Sequence, residues 1–136
     1  MLVVDASAVV DLLLQRPTAA AVEQHLAAHD FDLHAPALID VEVLSALRRL
    51  VASRETSAGR AADAVDDLLD LPLERHDHTM LVPRVWQLRE TIAAYDATYL
   101  ALAETLSDAG CPVVTTDARF ARAIARRSDV PALLVR

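Results

Sequence analysis

Four of the chain's 20 acidic residues stand where ordinary surface charge does not explain them. Asp5 ends the apolar run Leu2-Val3-Val4, and Asp117 follows Val113-Val114-Thr115-Thr116. Each precedes a helical pattern, which places both at the carboxyl tip of a strand, where open α/β sheets bind ligands. Asp96 opens a segment in which Tyr99, Leu100 and Ala103 mark the buried face at i+3, i+4 and i+7. Helix capping is the competing role for these three, since Asp accepts readily from a first turn. Glu42 has no such explanation. It lies mid-helix in Leu38-Ile39-Asp40-Val41-Glu42-Val43-Leu44, and carboxylates are seldom buried unless paired or metal-bound.

Carboxylates brought together raise one another's pKa, and a hard divalent cation relieves that repulsion. With no Cys or His at these positions, the donor set suits magnesium or manganese better than zinc. Such an ion positions water and neutralises a phosphodiester, the chemistry of acidic nucleases. Ser7, Thr115 and Thr116 flank the strand tips and can orient an acid or a metal-bound water. Leu38, Glu42, Ser45 and Arg49 form one stripe of their helix, while Asp40 lies about 200° from Glu42 and reads as a first-turn surface acid. The acids Asp63, Asp66, Asp67 and Asp70 read as a solvated face, as do Asp11, Glu23, Glu55, Glu90 and Asp108.

The elements that must hold these residues alternate. A strand at Leu2–Val4 leads to helices over 6–14 and 19–28, and a short strand over 33–35 ends at Pro36. Helices follow over 37–52 and, with Ser57 as N-cap, 58–71. A strand at 73–75 and a His76-Asp77-His78 loop precede a helix over 79–92. Asp96 opens a helix to Ser107, then come a strand over 113–116, a helix over 117–127 and a strand over 132–135. Buried apolar strands alternating with helices predict an α/β fold, a three-layer α/β/α sandwich on a mainly parallel sheet, as one domain over residues 1–136.

Composition narrows the function. Net charge is −7, and all 13 basic residues are arginine, so bulk charge does not attract nucleic acid and a phosphate-rich partner needs local arginines or a cation. Arg119, Arg122 and Arg126, at i, i+3 and i+7 just after Asp117, are either a solvated face or phosphate contacts. The two glycines, Gly59 and Gly110, are read as helix ends; they exclude a glycine-rich phosphate loop. A single cysteine, Cys111, forms no internal disulfide and fits a reducing compartment. The N-terminal run lacks a basic region and stops at Asp5, which argues against a signal peptide. No apolar run reaches the roughly 18 residues of a membrane span, and a cytoplasmic location is expected. The apolar fraction of 54% and mean hydropathy of +0.26 point to surface buried between subunits. His76 and His78 form an HxH read as loop, and Trp86, Tyr95 and Tyr99 as core or interface.

The segments VVDASAVVDLL, VEVLSAL, YDATYLALAE and VVTTDARFARA, in this order and spacing, resemble the PIN domain and within it the VapC toxins of type II toxin–antitoxin systems. The resemblance covers nearly the whole chain. It implies an α/β/α sandwich, Mg2+- or Mn2+-dependent RNA cleavage, and an acidic quartet at Asp5, Glu42, Asp96 and Asp117. Thr115 and Ser7 match polar residues beside the last and first acids. Ser45 stands where the family often has Asn. A homodimer, a cognate VapB-like antitoxin and tRNA or rRNA as substrate are further implications. The competing reading is a PIN-like module that binds RNA or antitoxin without cutting. A phosphoryl-transfer receiver lacks its lysine here, and a haloacid-dehalogenase-type phosphatase would need Asp in place of Ser7.

Overall fold

The computed structural model describes residues 1–136. Its sheet is built from β1 (Leu2–Val4), β2 (Leu33–Pro36), β3 (Leu73–His76), β4 (Val113–Thr115) and β5 (Ala132–Leu134). The strands lie in the order β3-β2-β1-β4-β5, and every adjacent pair is parallel. Parallel pairing requires crossover connections, supplied by α1 (Ala6–Leu13), α2 (Ala19–Ala28), α3 (Ile39–Ala52), α4 (Ala58–Asp70), α5 (Val82–Gln87), α6 (Ala94–Leu106) and α7 (Ala118–Arg127). The expected α/β/α sandwich is the observed one.

The order in which successive strands are added reverses between β1 and β4. Strands added before that point extend one way and those after it the other, so right-handed crossovers cover opposite faces. The crevice at such a reversal is where doubly wound sheets place ligands. The three central strands are buried on both faces, with Leu2, Val3, Val113 and Val114 at 0% exposure. One apolar cluster unites them with Ile39, Val43 and Leu47 of α3, Tyr99 and Leu100 of α6, and Phe120 and Ile124 of α7. Tyr99 and Phe120 meet edge to face with ring centroids 6.5 Å apart, locking α6 to α7.

Several local expectations change. His76 is the last residue of β3, in register with Pro36, because pairing carries the strand past Arg75. Thr79 opens a single 3-10 turn, Thr79–Leu81, before the short α5; the chain then turns, anchored by Leu88 and Ile92 at 4% and 3% exposure. The Thr91 hydroxyl bonds back to the Leu88 carbonyl at 3.4 Å, a local bond that competes with helix continuation. Gly59 lies in the first turn of α4, after its Ser57 cap. Gly110 does follow a helix, at φ +78°, and a Cβ there would meet Val130 Cγ2 at 3.0 Å. Tyr99 is core, but Trp86 and Tyr95 are 66% and 65% exposed, with Arg89 stacked over the Trp86 ring. Asp40 is in the first turn of α3, yet it is no idle surface charge. It receives a two-pronged bond from Arg75 Nε and Nη2 at 2.7 and 2.8 Å, tying α3 to the edge strand.

Candidate active site

The β1–α1 and β4–α7 junctions meet side by side at the strand-order reversal. Asp5 sits at the N-cap position of α1 without capping it. Its Oδ2 instead accepts from Ser7 Oγ and from Thr115 Oγ1 at 2.8 Å. With both hydroxyl protons committed there, each oxygen is free to accept. Ser7 Oγ takes the Thr116 amide at 3.1 Å, and Thr115 Oγ1 takes the Asp117 amide at 3.0 Å. Two hydroxyls therefore stitch one strand tip to the other and hold Asp5 in a single orientation. Thr115 is fully buried and Asp5 is 5% exposed. Burial pushes the Asp5 carboxyl above its ordinary value despite the bonds from Ser7 and Thr115.

Asp117 does cap α7: its Oδ1 accepts from the amides of Arg119 at 2.7 Å and Phe120 at 3.3 Å. A carboxylate has two oxygens, so capping occupies one and leaves the other for the cleft. Asp96 is not a cap, because Ala93 holds that position in α6; the acid projects from the helix's first turn. It is raised to about 6, by burial first and then by Asp5 and Asp117, with Arg119 opposing. Glu42 reaches in from α3 and is raised to about 7, by burial first and then by Asp5 and Asp96. The Tyr99 hydroxyl is close enough to temper that rise, yet neither it nor Glu42 Oε1 has a hydrogen bond of acceptable geometry, and both atoms are buried.

Asp5, Glu42, Asp96 and Asp117 line one cleft of about 670 Å³ together with Ser7 and Thr116. An orphaned buried carboxylate oxygen beside three further acids, with Asp5, Glu42 and Asp96 all raised, is the electrostatic signature of a site that lacks a positive charge. The all-oxygen donor set fits a hard divalent cation. Thr116 contributes its backbone amide, and its side chain makes no hydrogen bond. Ser45 is exposed and lies outside the cleft lining. The cleft-lining side of α3 runs through Glu42, Ala46 and Arg49, with Ala46 in place of Ser45 in the expected stripe, while Ile39, Val43 and Leu47 face the core. Arg119, Arg122 and Arg126, joined by Arg127, line a neighbouring groove of about 740 Å³ that shares Asp96 and Asp117 with the cleft.

Three further residues belong to this neighbourhood. Asp11, on the same face of α1 as Ser7, lines the cleft and accepts from Thr18 Oγ1 at 2.8 Å. Arg16 lines the cleft as well and lies 3.5 Å from Asp11. The i, i+4 spacing of Ser7 and Asp11 was the available signal for Asp11. Tyr99 was placed in the core, as it is, but its hydroxyl is turned toward Glu42; an aromatic three residues after Asp96 on the same helix face was the signal there.

Comparison with known proteins gives the family. The PIN domain family model matches residues 2–125. Ribonuclease VapC12 of Mycobacterium tuberculosis is 38% identical over 130 residues, covering 96% of this chain and 97% of the relative. Ribonuclease VapC3 from the same organism is 42% identical over 122 residues, covering 89% and 85%. Ribonuclease VapC1 is 43% identical over 122 residues, covering 89% of each. A match along almost the full chain, with strand-tip acids gathered at the strand-order reversal, makes this protein a member of the PIN-domain family, in its VapC branch.

Proposed function

We propose that this chain is a metal-dependent endoribonuclease, the toxin of a VapBC-type toxin–antitoxin system, hydrolysing phosphodiester bonds of tRNA or rRNA. The carrying observation is the convergence of Asp5, Glu42, Asp96 and Asp117 on one cleft with Glu42 Oε1 buried and unpartnered. These four residues would hold Mg2+ or Mn2+, which supplies a polarised water and charge neutralisation at the scissile phosphate. Ser7 and Thr115 keep Asp5 oriented through the two bonds to its Oδ2. Glu42 and Asp96, raised to about 7 and about 6, hold protons more readily than ordinary carboxylates, and binding a cation favours their release.

RNA needs positive charge that the chain as a whole lacks. The groove of Arg119, Arg122 and Arg126 beside Asp96 and Asp117 provides it locally, with bidentate guanidinium contacts to backbone phosphates. Exposed Val82 and Tyr95, at 54% and 65%, edge a groove of about 310 Å³ between α5, α6 and the residue preceding α3, lined by Leu38, Val82, Val85, Ala94 and Tyr95. That surface supports a homodimer with the acidic clefts nearby. A VapB-like antitoxin would block the site, and a cytoplasmic location fits an RNA substrate. No helix is long and apolar enough to cross a membrane.

The test uses purified protein, manganese and total RNA. Wild type is expected to cleave, while Asp96→Asn and Asp5→Asn lose cleavage by at least about 100-fold, as removal of an electrostatic or ligating group does, with unchanged circular dichroism. Full activity of a folded Asp96→Asn variant, or activity that persists in a chelator, would overturn the reading. Wild-type protein that binds RNA without cutting would instead identify the binding module.

A further inference from the structure

The outer pair of strands carries a second group of ligating side chains, apart from the acidic quartet. β2 and β3 pair with His34 opposite Glu74 and Pro36 opposite His76. Glu74 and His76 are two residues apart, so they project from the same face of the sheet as His34. One nitrogen or oxygen atom from each of the three lies within 4.8 Å of the others.

The protonation pattern is set by a fourth residue. His34 Nε2 lies 2.9 Å from Asp32 Oδ1, and an ionised carboxylate only accepts, so in the neutral ring Nε2 carries the proton and Nδ1 presents a lone pair. That lone pair faces His76 Nε2 at 2.9 Å and Glu74 Oε2 at 3.6 Å. Metal-ligating histidines are held in this way, one ring nitrogen donating to a carboxylate while the other meets the ion. The His34 side chain is 7% exposed, His76 23% and Glu74 66%, so the innermost donor is rigidly seated and the outer two face the solvent from which an ion arrives.

We propose that His34 Nδ1, His76 Nε2 and a Glu74 carboxylate oxygen form a cation site for a zinc-type transition metal ion, with Asp32 as the positioning residue. Two imidazoles and one carboxylate are the donors that zinc, cobalt and nickel take and magnesium does not. Three protein ligands leave the fourth tetrahedral position to water. Two nitrogens on one tetrahedral ion at about 2.0–2.1 Å stand about 3.3 Å apart, so the His34–His76 pair opens by a few tenths of an ångström. The ion replaces the proton shared between the rings. The sequence reads His76 and His78 as a loop; His78 does lie beyond β3 and is exposed, whereas His76 ends β3 and strand pairing brings His34 to it. A bound ion would clip the edge strand β3 to β2.

The experiment titrates Co2+ into the full chain carrying Asp5→Asn and Asp96→Asn, in excess Mg2+, and follows visible d–d absorption, with Zn2+ as competitor. One equivalent of Co2+ is expected to bind, to be displaced by Zn2+, and Zn2+ is expected to raise the thermal midpoint. His76→Ala and Glu74→Gln, at solvent-facing positions and checked for folding by circular dichroism, are expected to abolish the absorption and the thermal shift. Asp32→Asn is expected to weaken affinity by about 10–100-fold, and His78→Ala to leave it unchanged. Absent binding in the cleft-disabled background overturns the proposal and leaves a plain His–His hydrogen bond. Binding that survives His76→Ala in a folded protein overturns it too, as does binding that depends on His78.

Discussion

At the residue scale, Glu42 and Asp96 carry the site's electrostatic tension. Their ordinary values are 4.5 and 3.8, against about 7 and about 6 in the folded chain. Between those limits the folded state binds more protons than the unfolded one, so cation-free stability falls as pH rises from about 4 to about 7. Thermal midpoints in chelator are expected to drop over that range. Glu42→Gln, which keeps the shape and removes the charge, should flatten the dependence, and added Mn2+ should restore wild-type stability at neutral pH by binding only the folded state. A midpoint that rises through this range in wild type would contradict the placement of these carboxylates. Thr115 and Ser7 act differently. They titrate nowhere in this range, and their contribution is orientation of Asp5 through bonds worth roughly 1.5–3 kcal/mol each when the acceptor is charged.

The element scale explains how such a cluster assembles from distant segments. β1 and β4 are adjacent only because strand order reverses between them, and each strand delivers an acid at its carboxyl tip. α7 then does two things at once: its first turn is capped by Asp117, and its outer face carries Arg119, Arg122 and Arg126 along the neighbouring groove. In a non-cleaving Asp96→Asn background, replacing these three arginines by alanine is expected to weaken RNA binding. The slope of log affinity against log salt should fall by about 2, from three phosphate contacts at about 0.7 each for single-stranded RNA. An unchanged slope would return these arginines to the role of a solvated face. The strand-tip positions of Asp5 and Asp117 were legible because an apolar run ending in Asp before a helical pattern is a local signal. The cleft-lining side of α3 was not. The Leu38-Glu42-Ser45-Arg49 stripe and the family's frequent Asn both pointed to Ser45, whereas Ala46 lines the cleft.

For the whole molecule, the unpaired apolar surface and the acidic net charge act together. Val82 of α5 and Tyr95 of α6 stand exposed around one groove, and large exposed apolar patches mark interaction sites. Val82→Asp with Tyr95→Asp is expected to convert a dimer to a monomer in light scattering without loss of fold, since neither residue belongs to the core cluster. A wild-type monomer at micromolar concentration would remove that assignment.

The chain's own pattern determined its class and its chemistry. Short β-branched runs, long helical periods and acids at strand ends require a layered α/β fold with carboxylates at one edge, because burial and backbone hydrogen bonding leave those segments few alternatives. Three matters were decided only by tertiary structure. Pairing of β2 with β3 joined His34 to His76 across 42 residues. The rotation of α3 chose which of its polar residues enter the cleft. The approach of α6 to α3 left Glu42 Oε1 and the Tyr99 hydroxyl buried without partners. Local sequence sets which residues share a helix face or a strand end. Contacts between elements far apart in the chain depend on packing that periodicity does not encode.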